Sequence, residues 1–298
     1  MQVAVIGANS YIARNMIKIN LDKNYADILL FDRTKDHIDG YKNYNQLDIE
    51  NVTEVKNAIT NVDLIYFFVG KTGTLQGFEK PALFLDVNEK TLFCLLNACR
   101  ELQTEAKIVF PSTRLVYQGS DYPLVEESRN DFLTPYAIQK YACEQYLKMY
   151  NRLFNINYCI LRICVPYDTL VKPVSSYGLL NNFLNQAQRE GVIQVYGNGS
   201  QRRTFTHIAD LGHILWQAGL EKRCINDIYN VGGQIFSIKE VAYSISQKFG
   251  ALVKHIPWPV FSEKVESGDT VFDSSKLDNI LSYKYKMSFE KWLEGEMF

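Results

Sequence analysis

Tyr136 and Lys140 lie four residues apart in the segment LTPYAIQKYACEQYL, and this pair is the part of the sequence best suited to proton transfer. Thr134 can cap a helix and Pro135 suits a first helical turn, which predicts a helix from Pro135 to about Phe154. Residues four apart stack on one face of a helix. A lysine cation one turn from a phenol favours the phenolate, which makes Tyr136 a candidate general base, or a general acid in reverse.

A hydroxyl at the end of a predicted strand belongs to the same candidate site. Thr113 follows KIVFPS, and its hydroxyl could hydrogen-bond the substrate oxygen whose proton Tyr136 transfers. A Tyr-x-x-x-Lys pattern also occurs on ordinary solvated helix faces. Its position after four strand–helix units, with Thr113 at the end of the fourth strand, favours the catalytic interpretation.

Short apolar strands alternate with helical periods up to Ile163, which is typical of βαβ units around a buried parallel sheet. The sequence therefore predicts an α/β fold, a Rossmann-type doubly wound parallel sheet. The predicted strands are QVAVIG, ADILLFD, DLIYFFV, KIVFPS and NYCILRI. The predicted helices are Tyr11 to about Asn20, NVTEVKNAI, about Pro81 to Leu102, and Pro135 to about Phe154.

Proline, glycine and tyrosine interrupt this alternation after Arg162. Beyond that point we expect a helix in NNFLNQAQRE, a strand in VIQVYGNG, and short helices mixed with loops in the last third. This pattern predicts a dinucleotide-binding domain over residues 1–168, rejoined by about 203–235, and a smaller α/β substrate lobe over 169–298. Such a lobe would cover the carboxyl edge of the sheet, where ligands of doubly wound folds bind.

The turn between the first strand and the first helix is the candidate dinucleotide site. Backbone N–H groups there, together with the helix dipole, can bind a pyrophosphate. Because the turn contains a single glycine, an ordinary strand-to-helix turn is the alternative. The candidate cofactor-binding residues in it are Gly7, Asn9, Ser10, Tyr11 and Ile12.

Asp32 closes the second predicted strand, where an acid binds the ribose hydroxyls of adenosine and repels the extra phosphate of NADP. NAD is therefore the expected cofactor, with NADP as the alternative if Arg33 pairs with that phosphate. Asp48 and Ile49 follow where a third strand would approach the adenine. Asp48 could equally cap the next helix.

Composition excludes several classes of function. The 298 residues include 32 Lys and Arg against 33 Asp and Glu, so no basic excess predicts nucleic acid as a partner. The apolar runs are too short to span a membrane, and the N-terminus lacks the basic region of a signal peptide. The six cysteines form no C-x-x-C pair and the four histidines are scattered, so we expect buried reduced thiols, no metal site and a cytoplasmic location.

With these motifs in place, the chain resembles, nearly end to end, the extended short-chain dehydrogenases of the NAD-dependent epimerase/dehydratase family, which act on nucleotide sugars. VAVIGANSYIARNMI is similar to the family's nucleotide turn, with Ser10 and Ala13 in place of glycines. FLDVNEKTLFCLLNACRE resembles the helix whose asparagine, here Asn88, braces the active site. VFPSTRLVYQ and PYAIQK resemble the segments that supply the catalytic Thr113, Tyr136 and Lys140.

The most specific resemblance is YGNGSQRRTFTHIADLGHIL, which is similar to the family's G-x-G-x-x-x-R-x-F-x-x-V-x-D segment. It implies that Arg203 contacts the nucleotide phosphates, and a surface salt bridge is the alternative role of this arginine. The chain departs from the family pattern at two places. Val165 replaces an asparagine, and the segment 265–269 lacks the arginine that many members have before Gly-Asp, unless Lys264 replaces it.

The resemblance implies a nucleotide-sugar substrate, bound NAD contacted also by Tyr136 and Lys140, a homodimer, and hydride transfer at the sugar C4. A 4-epimerase is favoured, because the strand-four and helix motifs look most like that branch and Asp32 suits NAD. A 4-ketoreductase is the alternative, because the short chain and Ser10 suit single-pass reduction with a loosely held cofactor. A non-catalytic NAD(P)-sensing binder is a third class, but it predicts loss of Tyr136 or Lys140. A 4,6-dehydratase is not expected, because dehydratases have Asp-Glu where Arg114 and Leu115 stand. The candidate substrate-binding residues are Asn88, Thr113, Arg114, Asn181, Asn182 and Arg203.

Overall fold

A computed structural model describes residues 1–20, 27–172 and 178–295 of the chain. Its strands are β1 (Gln2–Ile6), β2 (Asp27–Asp32), β3 (Tyr44–Gln46), β4 (Leu64–Phe67), β5 (Lys107–Thr113), β6 (Tyr158–Ile163), β7 (Val165–Tyr167), β8 (Val192–Tyr196), β9 (Arg202–His207), β10 (Asp227–Asn230), β11 (Gln234–Ser237) and β12 (Leu252–Ile256). Its α-helices are α1 (Tyr11–Asn20), α2 (Val52–Ile59), α3 (Thr74–Glu79), α4 (Pro81–Leu85), α5 (Thr91–Leu102), α6 (Pro135–Phe154), α7 (Leu179–Asn185), α8 (Ile208–Leu220), α9 (Ile238–Phe249), α10 (Val260–Lys264), α11 (Ser275–Leu281) and α12 (Phe289–Glu294).

A seven-stranded parallel sheet in the order β10-β6-β5-β4-β1-β2-β3 forms the centre of the fold. Its middle strands β4, β5 and β6 are buried along their whole length, which explains their continuous apolar sequences. One face packs against α1 and α8, and the other against α2, α5 and α6. The predicted Rossmann-type α/β fold is confirmed.

The last third of the chain is more regular than the sequence indicated. Instead of short helices mixed with loops, it contains α8, with 13 residues, and α9, with 12. Because α8 is buried on nearly all sides, it lacks the one-sided apolar period by which surface helices are recognised. The central sheet takes up β10, while β11-β9-β7 and β12-β8 form two smaller sheets. The division into lobes at residue 168 stays a prediction.

The segment predicted as one helix from Pro81 to Leu102 is continuous but irregular. A π-helical turn at Asp86–Lys90 joins α4 to α5 and places Asn88 within it. Such turns insert one residue into a helix and occur frequently at functional sites. The same irregularity follows α7, where Gln186–Glu190 form a second π-helical turn.

Within the described ranges, no helix is long and apolar enough to cross a membrane. The same residues contain no group of three or more His, Cys, Asp or Glu side chains that could hold a metal ion. All six cysteines are free thiols, and five of them are buried.

A buried ion pair joins α6 to the sheet. Glu144 of α6 has no exposed surface, and it accepts hydrogen bonds from Arg162 Nε at 2.9 Å and Nη2 at 2.6 Å. Ser112 Oγ of β5 donates to the same carboxylate at 2.5 Å. The guanidinium of Arg162 also lies 4.6 Å from the centre of the Tyr117 ring. The network connects β5, β6 and α6 beneath the predicted catalytic residues.

We expect Glu144→Ala to lower the free energy of unfolding by about 3–5 kcal/mol, because it leaves the buried Arg162 cation without its partner. Urea denaturation followed by circular dichroism measures the change. Glu101→Ala is the matched control, since it breaks the solvent-exposed pair with Lys56 and should leave stability nearly unchanged. Equal losses in both variants would contradict a special role for the buried network.

Candidate active site

Thr113 lies at the carboxyl end of β5, buried at the edge of the central sheet. Its Oγ1 accepts a hydrogen bond from Leu115 N at 3.3 Å and so caps a 3-10 turn over Arg114–Val116. A hydroxyl that accepts one bond still has its proton to donate. The cap therefore fixes Thr113 while leaving it able to donate to another oxygen.

The N-terminus of α6 is built as the sequence predicted. Thr134 Oγ1 accepts from Ala137 N at 3.1 Å, Pro135 occupies the first turn, and the helix ends at Phe154. The half-buried Tyr136 follows directly. α3 packs against this end of the helix, where a Cβ on Gly77 would lie 3.7 Å from Pro135 Cβ. Tyr136 is thus held in the first turn of a capped and covered helix.

Lys140 is buried one helical turn beyond Tyr136, with 6% of its surface exposed. Its Nζ donates to Pro111 O of β5 at 2.8 Å and lies 4.2 Å from the centre of the Phe110 ring. Burial lowers the pKa of Lys140 to about 8, against the opposing effects of Cys143 and Glu144. The Lys140 ammonium can therefore lose its proton at a pH only slightly above neutral.

Asn88 braces the loop after β4 against α6. Its Oδ1 accepts from Lys71 N at 2.7 Å, and its Nδ2 donates to Gln139 Oε1 at 2.8 Å. Both ends of this buried amide therefore bond to the protein and link the loop after β4 to α6. A Cβ on Gly70 would lie 3.5 Å from Asn88 Oδ1 and 3.8 Å from Lys140 Nζ, so this loop also lies beside the ammonium.

The turn from β1 into α1 is tightly packed. Gly7 has φ +86°, and a Cβ there would lie 2.7 Å from backbone atoms of Phe68 and Val69, so only glycine fits. Arg14 N bonds back to Ser10 O at 2.9 Å, and the amides of Tyr11, Ile12 and Ala13 come before it at the helix start. N–H groups in this position bind anions.

Ser10 and Tyr11 are held by protein around this turn. The Ser10 hydroxyl is buried without a hydrogen-bond partner among the described residues, so it lies against protein atoms. Tyr11 OH donates to Asp168 O at 2.5 Å. Burial raises the pKa of Tyr11 above its ordinary value, which keeps this donor protonated. Ile12 is half-buried against the core on this face of the sheet.

Asp32 ends β2 with its carboxylate fixed by two backbone amides. Asn9 N donates to Oδ2 at 2.9 Å and Arg33 N donates to Oδ1 at 2.7 Å. The Asn9 side chain meanwhile bonds to Thr34 Oγ1 at 2.8 Å and accepts from Ile38 N at 2.9 Å. The turn and the loop after β2 are therefore joined around the carboxylate.

Asp48 does not cap α2, and that alternative is wrong. The cap is Asn51, whose Oδ1 accepts from Thr53 N at 3.2 Å and from Glu54 N at 3.3 Å. The helix starts at Val52, too far along the chain for Asp48 to reach its first amides. Asp48 is exposed and accepts from Glu50 N at 3.0 Å, while the half-buried Ile49 packs on the core.

Arg203 lies in β9 and is paired with an acid that sequence reasoning missed. Its Nη2 donates to Glu266 Oε1, and its Nη1 donates to Arg202 O at 2.9 Å and to Gly268 O. The Arg203 side chain is 3% exposed and Glu266 is 23% exposed, so this is no surface salt bridge. Glu266 lies in the segment 265–269, and its 63-residue separation from Arg203 left no local signal.

Arg114 reaches the same segment from the other side. Its Nη1 donates to Ser267 Oγ at 3.1 Å and to Thr270 Oγ1 at 3.4 Å. Thr270 also pairs with Arg203 in an isolated β-bridge. Two of the predicted substrate-binding arginines thus converge on residues 266–270.

The remaining predicted substrate-binding residues, Asn181 and Asn182, lie in α7. Asn181 is half-buried and Asn182 is exposed, as expected for adjacent residues that point about 100° apart on a helix.

A histidine and an aspartate form a pair at the junction of the sheets. His207 Nδ1 accepts from Ala209 N, so its Nε2 donates to Asp168 Oδ2 at 2.9 Å. Burial raises the pKa of Asp168, but the bonds from His207 and the Thr169 amide outweigh it and lower this pKa. No local sequence pattern indicates this pair, whose members are 39 residues apart.

The arrangement offers two kinds of chemistry. Thr113, Tyr136 and Lys140 provide a hydroxyl, a phenol and a buried amine where β5 meets α6, which suits proton transfer to and from a substrate oxygen. The turn at Gly7 and the arginines Arg114 and Arg203 provide donors for phosphate groups.

Proteins of known activity resemble the chain over most of its length. A UDP-glucuronate 4-epimerase of Thermodesulfobacterium geofontis is 25% identical over 256 residues, 84% of this chain and 77% of that protein. A mouse (Mus musculus) dTDP-D-glucose 4,6-dehydratase is 26% identical over 262 residues, 83% of this chain and 72% of that protein. A crystal structure of the UDP-glucuronic acid 4-epimerase of Bacillus cereus, in complex with UDP-glucuronic acid and NAD, has the same fold. Its TM-score is 0.85 at 22% identity, covering 99% of this chain and 98% of that one.

The model of the family described as NAD dependent epimerase/dehydratase matches residues 3–232, from β1 through the end of β10. That range contains the turn at Gly7, the candidate catalytic residues Thr113, Tyr136 and Lys140, and Arg203. The chain belongs to the NAD-dependent epimerase/dehydratase family.

Proposed function

We propose that the protein is a nucleotide-sugar 4-epimerase that transfers a hydride at the sugar C4 with NAD as its cofactor. The observation that carries the proposal is the placement of Thr113 at the end of β5 beside the helix that holds Tyr136 and the buried Lys140. The residues that follow Thr113 decide which reaction of the family this site supports.

In the proposed reaction, Tyr136 removes the proton of the sugar O4 while Thr113 donates a hydrogen bond to the same oxygen. Lys140, while charged, stabilises the Tyr136 phenolate from one turn away. Bound NAD would accept the hydride and return it. Return to the opposite face of the 4-keto sugar gives the 4-epimer, and Tyr136 then gives the proton back to O4.

The residues at the nucleotide turn fit the adenosine and pyrophosphate of NAD. Gly7 allows the close turn, and the N-terminal amides of α1, at Tyr11 and Ile12, would bind the pyrophosphate. Asp32, fixed by two backbone amides, would bind the ribose hydroxyls. Asp48 and Ile49 would lie beside the adenine, and Lys140 beside the second ribose.

A dehydratase reaction is not proposed, although a dehydratase is among the relatives. Dehydration needs an acid for the leaving hydroxyl and a base for the C5 proton. Arg114 contacts Ser267 and Thr270, and Leu115 has no titratable group. Neither residue after Thr113 can serve as acid or base near neutral pH.

A nucleotide-sugar 4-ketoreductase is the second candidate. It is favoured by Ser10, whose buried hydroxyl has no hydrogen-bond partner among the described residues and stands where glycine would let the chain approach the pyrophosphate more freely. Looser cofactor binding suits an enzyme that exchanges its cofactor each turnover. A non-catalytic NAD(P) sensor is not supported, since Tyr136 and Lys140 are both present. The homodimer implied by the family stays a prediction.

Cofactor stoichiometry tests the proposal. The purified protein should carry NAD, released on acid denaturation, and should convert UDP-glucose, UDP-glucuronate or another member of a nucleotide-sugar panel without net NADH production. A protein that lacks NAD and consumes one NAD(P)H per 4-keto sugar would be the reductase instead. Formation of a 4-keto-6-deoxy product would establish the dehydratase.

The matched variant is Tyr136→Phe, which removes the proton-transfer group alone. It should retain bound NAD and lose about 10²–10⁴-fold in kcat, the usual contribution of general acid–base catalysis. Near wild-type turnover in this variant would overturn the role of Tyr136.

The pH dependence of kcat/KM should show a loss of activity above about pH 8. The pKa of Lys140 is lowered to about 8, so the ammonium loses its proton above that pH and no longer stabilises the Tyr136 phenolate. A pH profile of the wild type, of Lys140→Met and of the exposed control Lys148→Met measures the effect. Full activity of the wild type up to pH 10 would contradict this assignment. The same loss of activity above pH 8 in Lys140→Met would also contradict it.

Asp32 should make NAD bind more tightly than NADP, because its carboxylate lies where the extra phosphate would be. In Asp32→Asn the ratio of the affinity for NAD to the affinity for NADP should fall about tenfold, or about 1.4 kcal/mol. Fluorescence titration with NADH and NADPH measures both affinities. Asp36→Asn, in the next loop, is the control for a general change of charge, and tighter NADPH binding by the wild type would refute the role of Asp32.

A further inference from the structure

Residues 266–270 form a short segment, here called the strap, on which Arg114 and Arg203 converge. Its backbone is fixed on two sides. Thr270 N donates to Arg202 O at 2.9 Å, and Ser120 N donates to Asp269 O at 3.0 Å. A Cβ on Gly119 would lie 1.7 Å from Ser267 O, so the strap also packs directly on that glycine. The part after Glu266 therefore cannot move without breaking several contacts.

The two arginines differ in the partners that the strap gives them. Arg114 Nη1 contacts the hydroxyls of Ser267 and Thr270, which carry no charge. Arg203 contacts the carboxylate of Glu266, together with the carbonyl oxygens of Arg202 and Gly268. The arginine predicted to bind the substrate phosphates therefore already donates a hydrogen bond to a carboxylate of the protein itself.

We propose that Glu266 is a specificity-determining residue: its carboxylate holds Arg203 in the place of a phosphate and competes directly with the phosphates of the substrate. The inference rests on the proposed function, because it takes a nucleoside diphosphate as the ligand. Carboxylate and phosphate make the same charge-assisted bonds to a guanidinium, and Arg203 Nη2, which donates to Glu266, cannot give the same N–H to both.

The exchange requires the Glu266 side chain alone to move. With 23% of its side chain exposed, Glu266 can turn into water. This breaks the bond that its Oε1 accepts from Gly268 N at 3.1 Å, while the backbone bonds of Asp269 and Thr270 stay intact. The nearly buried Arg203 then keeps an anionic partner, the phosphate, and avoids an uncompensated buried charge. Every ligand that binds through a phosphate must first break the Arg203–Glu266 pair, and the free energy of that pair makes its binding weaker. A ligand without phosphate leaves the pair intact and does not lose this free energy.

The test measures binding by isothermal titration calorimetry with UDP and with uridine, in the NAD-loaded protein. Glu266→Gln should bind UDP about tenfold more tightly than the wild type, because the neutral amide competes less well for Arg203. Its affinity for uridine should not change. Asp269→Asn is the matched control: it removes one negative charge from the same strap, at the exposed pair with Arg202, and should leave both affinities unchanged.

Unchanged or weaker UDP binding by Glu266→Gln would overturn the proposal, and so would equal tightening in Asp269→Asn, which would indicate a general charge effect. If Glu266→Gln unfolds, as judged by circular dichroism, Glu266→Ala and the salt dependence of UDP binding replace it, with the same expectation for UDP against uridine. The proposed 4-epimerase activity is measured separately. Tighter UDP binding without any epimerisation would sustain the role of Glu266 and reject the reaction.

Discussion

A buried ammonium at the carboxyl edge of the sheet constrains the elements around it. Lys140 has little contact with water, so its charge depends on Pro111 O, the face of the Phe110 ring and the nearby carboxylate of Glu144. Glu144 is itself buried and requires Arg162 and Ser112. These interactions link α6 to β5 and β6, and they fix the position of α6, which carries Tyr136.

The site shows how one fold treats charges of opposite sign at its two ends. At the end of β2, backbone amides hold the carboxylate of Asp32, so no counter-cation is needed there. At the strap, two arginines converge and one of them is neutralised by Glu266. We propose that the first arrangement selects against a phosphate on the ribose, and that the second reduces the positive charge offered to a pyrophosphate.

Features governed by neighbouring residues could be predicted from the sequence. The helix from Pro135 to Phe154 with its Thr134 cap, the stacking of Tyr136 and Lys140, and the turn at Gly7 follow from local rules of capping and chain geometry. Thr113 followed from its position at the end of the fourth predicted strand, and the family pattern then located Arg203. The assignments of these residues to catalysis and binding stay predictions until variants are measured.

Features governed by distant residues could not be predicted. Glu266 meets Arg203, and Asp168 meets His207, through folding of segments far apart in the chain. α8 lacks the one-sided apolar period of a surface helix, because contacts with the rest of the fold bury it on nearly all sides. In each case the deciding information is a three-dimensional contact.

The π-helical turn at Asp86–Lys90 has a consequence for how this region tolerates insertions and deletions. It contains one residue more than a regular helix, and each residue turns a helix by about 100°. Removing a residue from it would let α4 and α5 join as one regular helix, but would rotate one relative to the other. Either the hydrogen bond between Asn88 and Gln139 would be lost, or the apolar face of α5 would turn away from the core. The length of this helix is therefore fixed more strictly than its sequence.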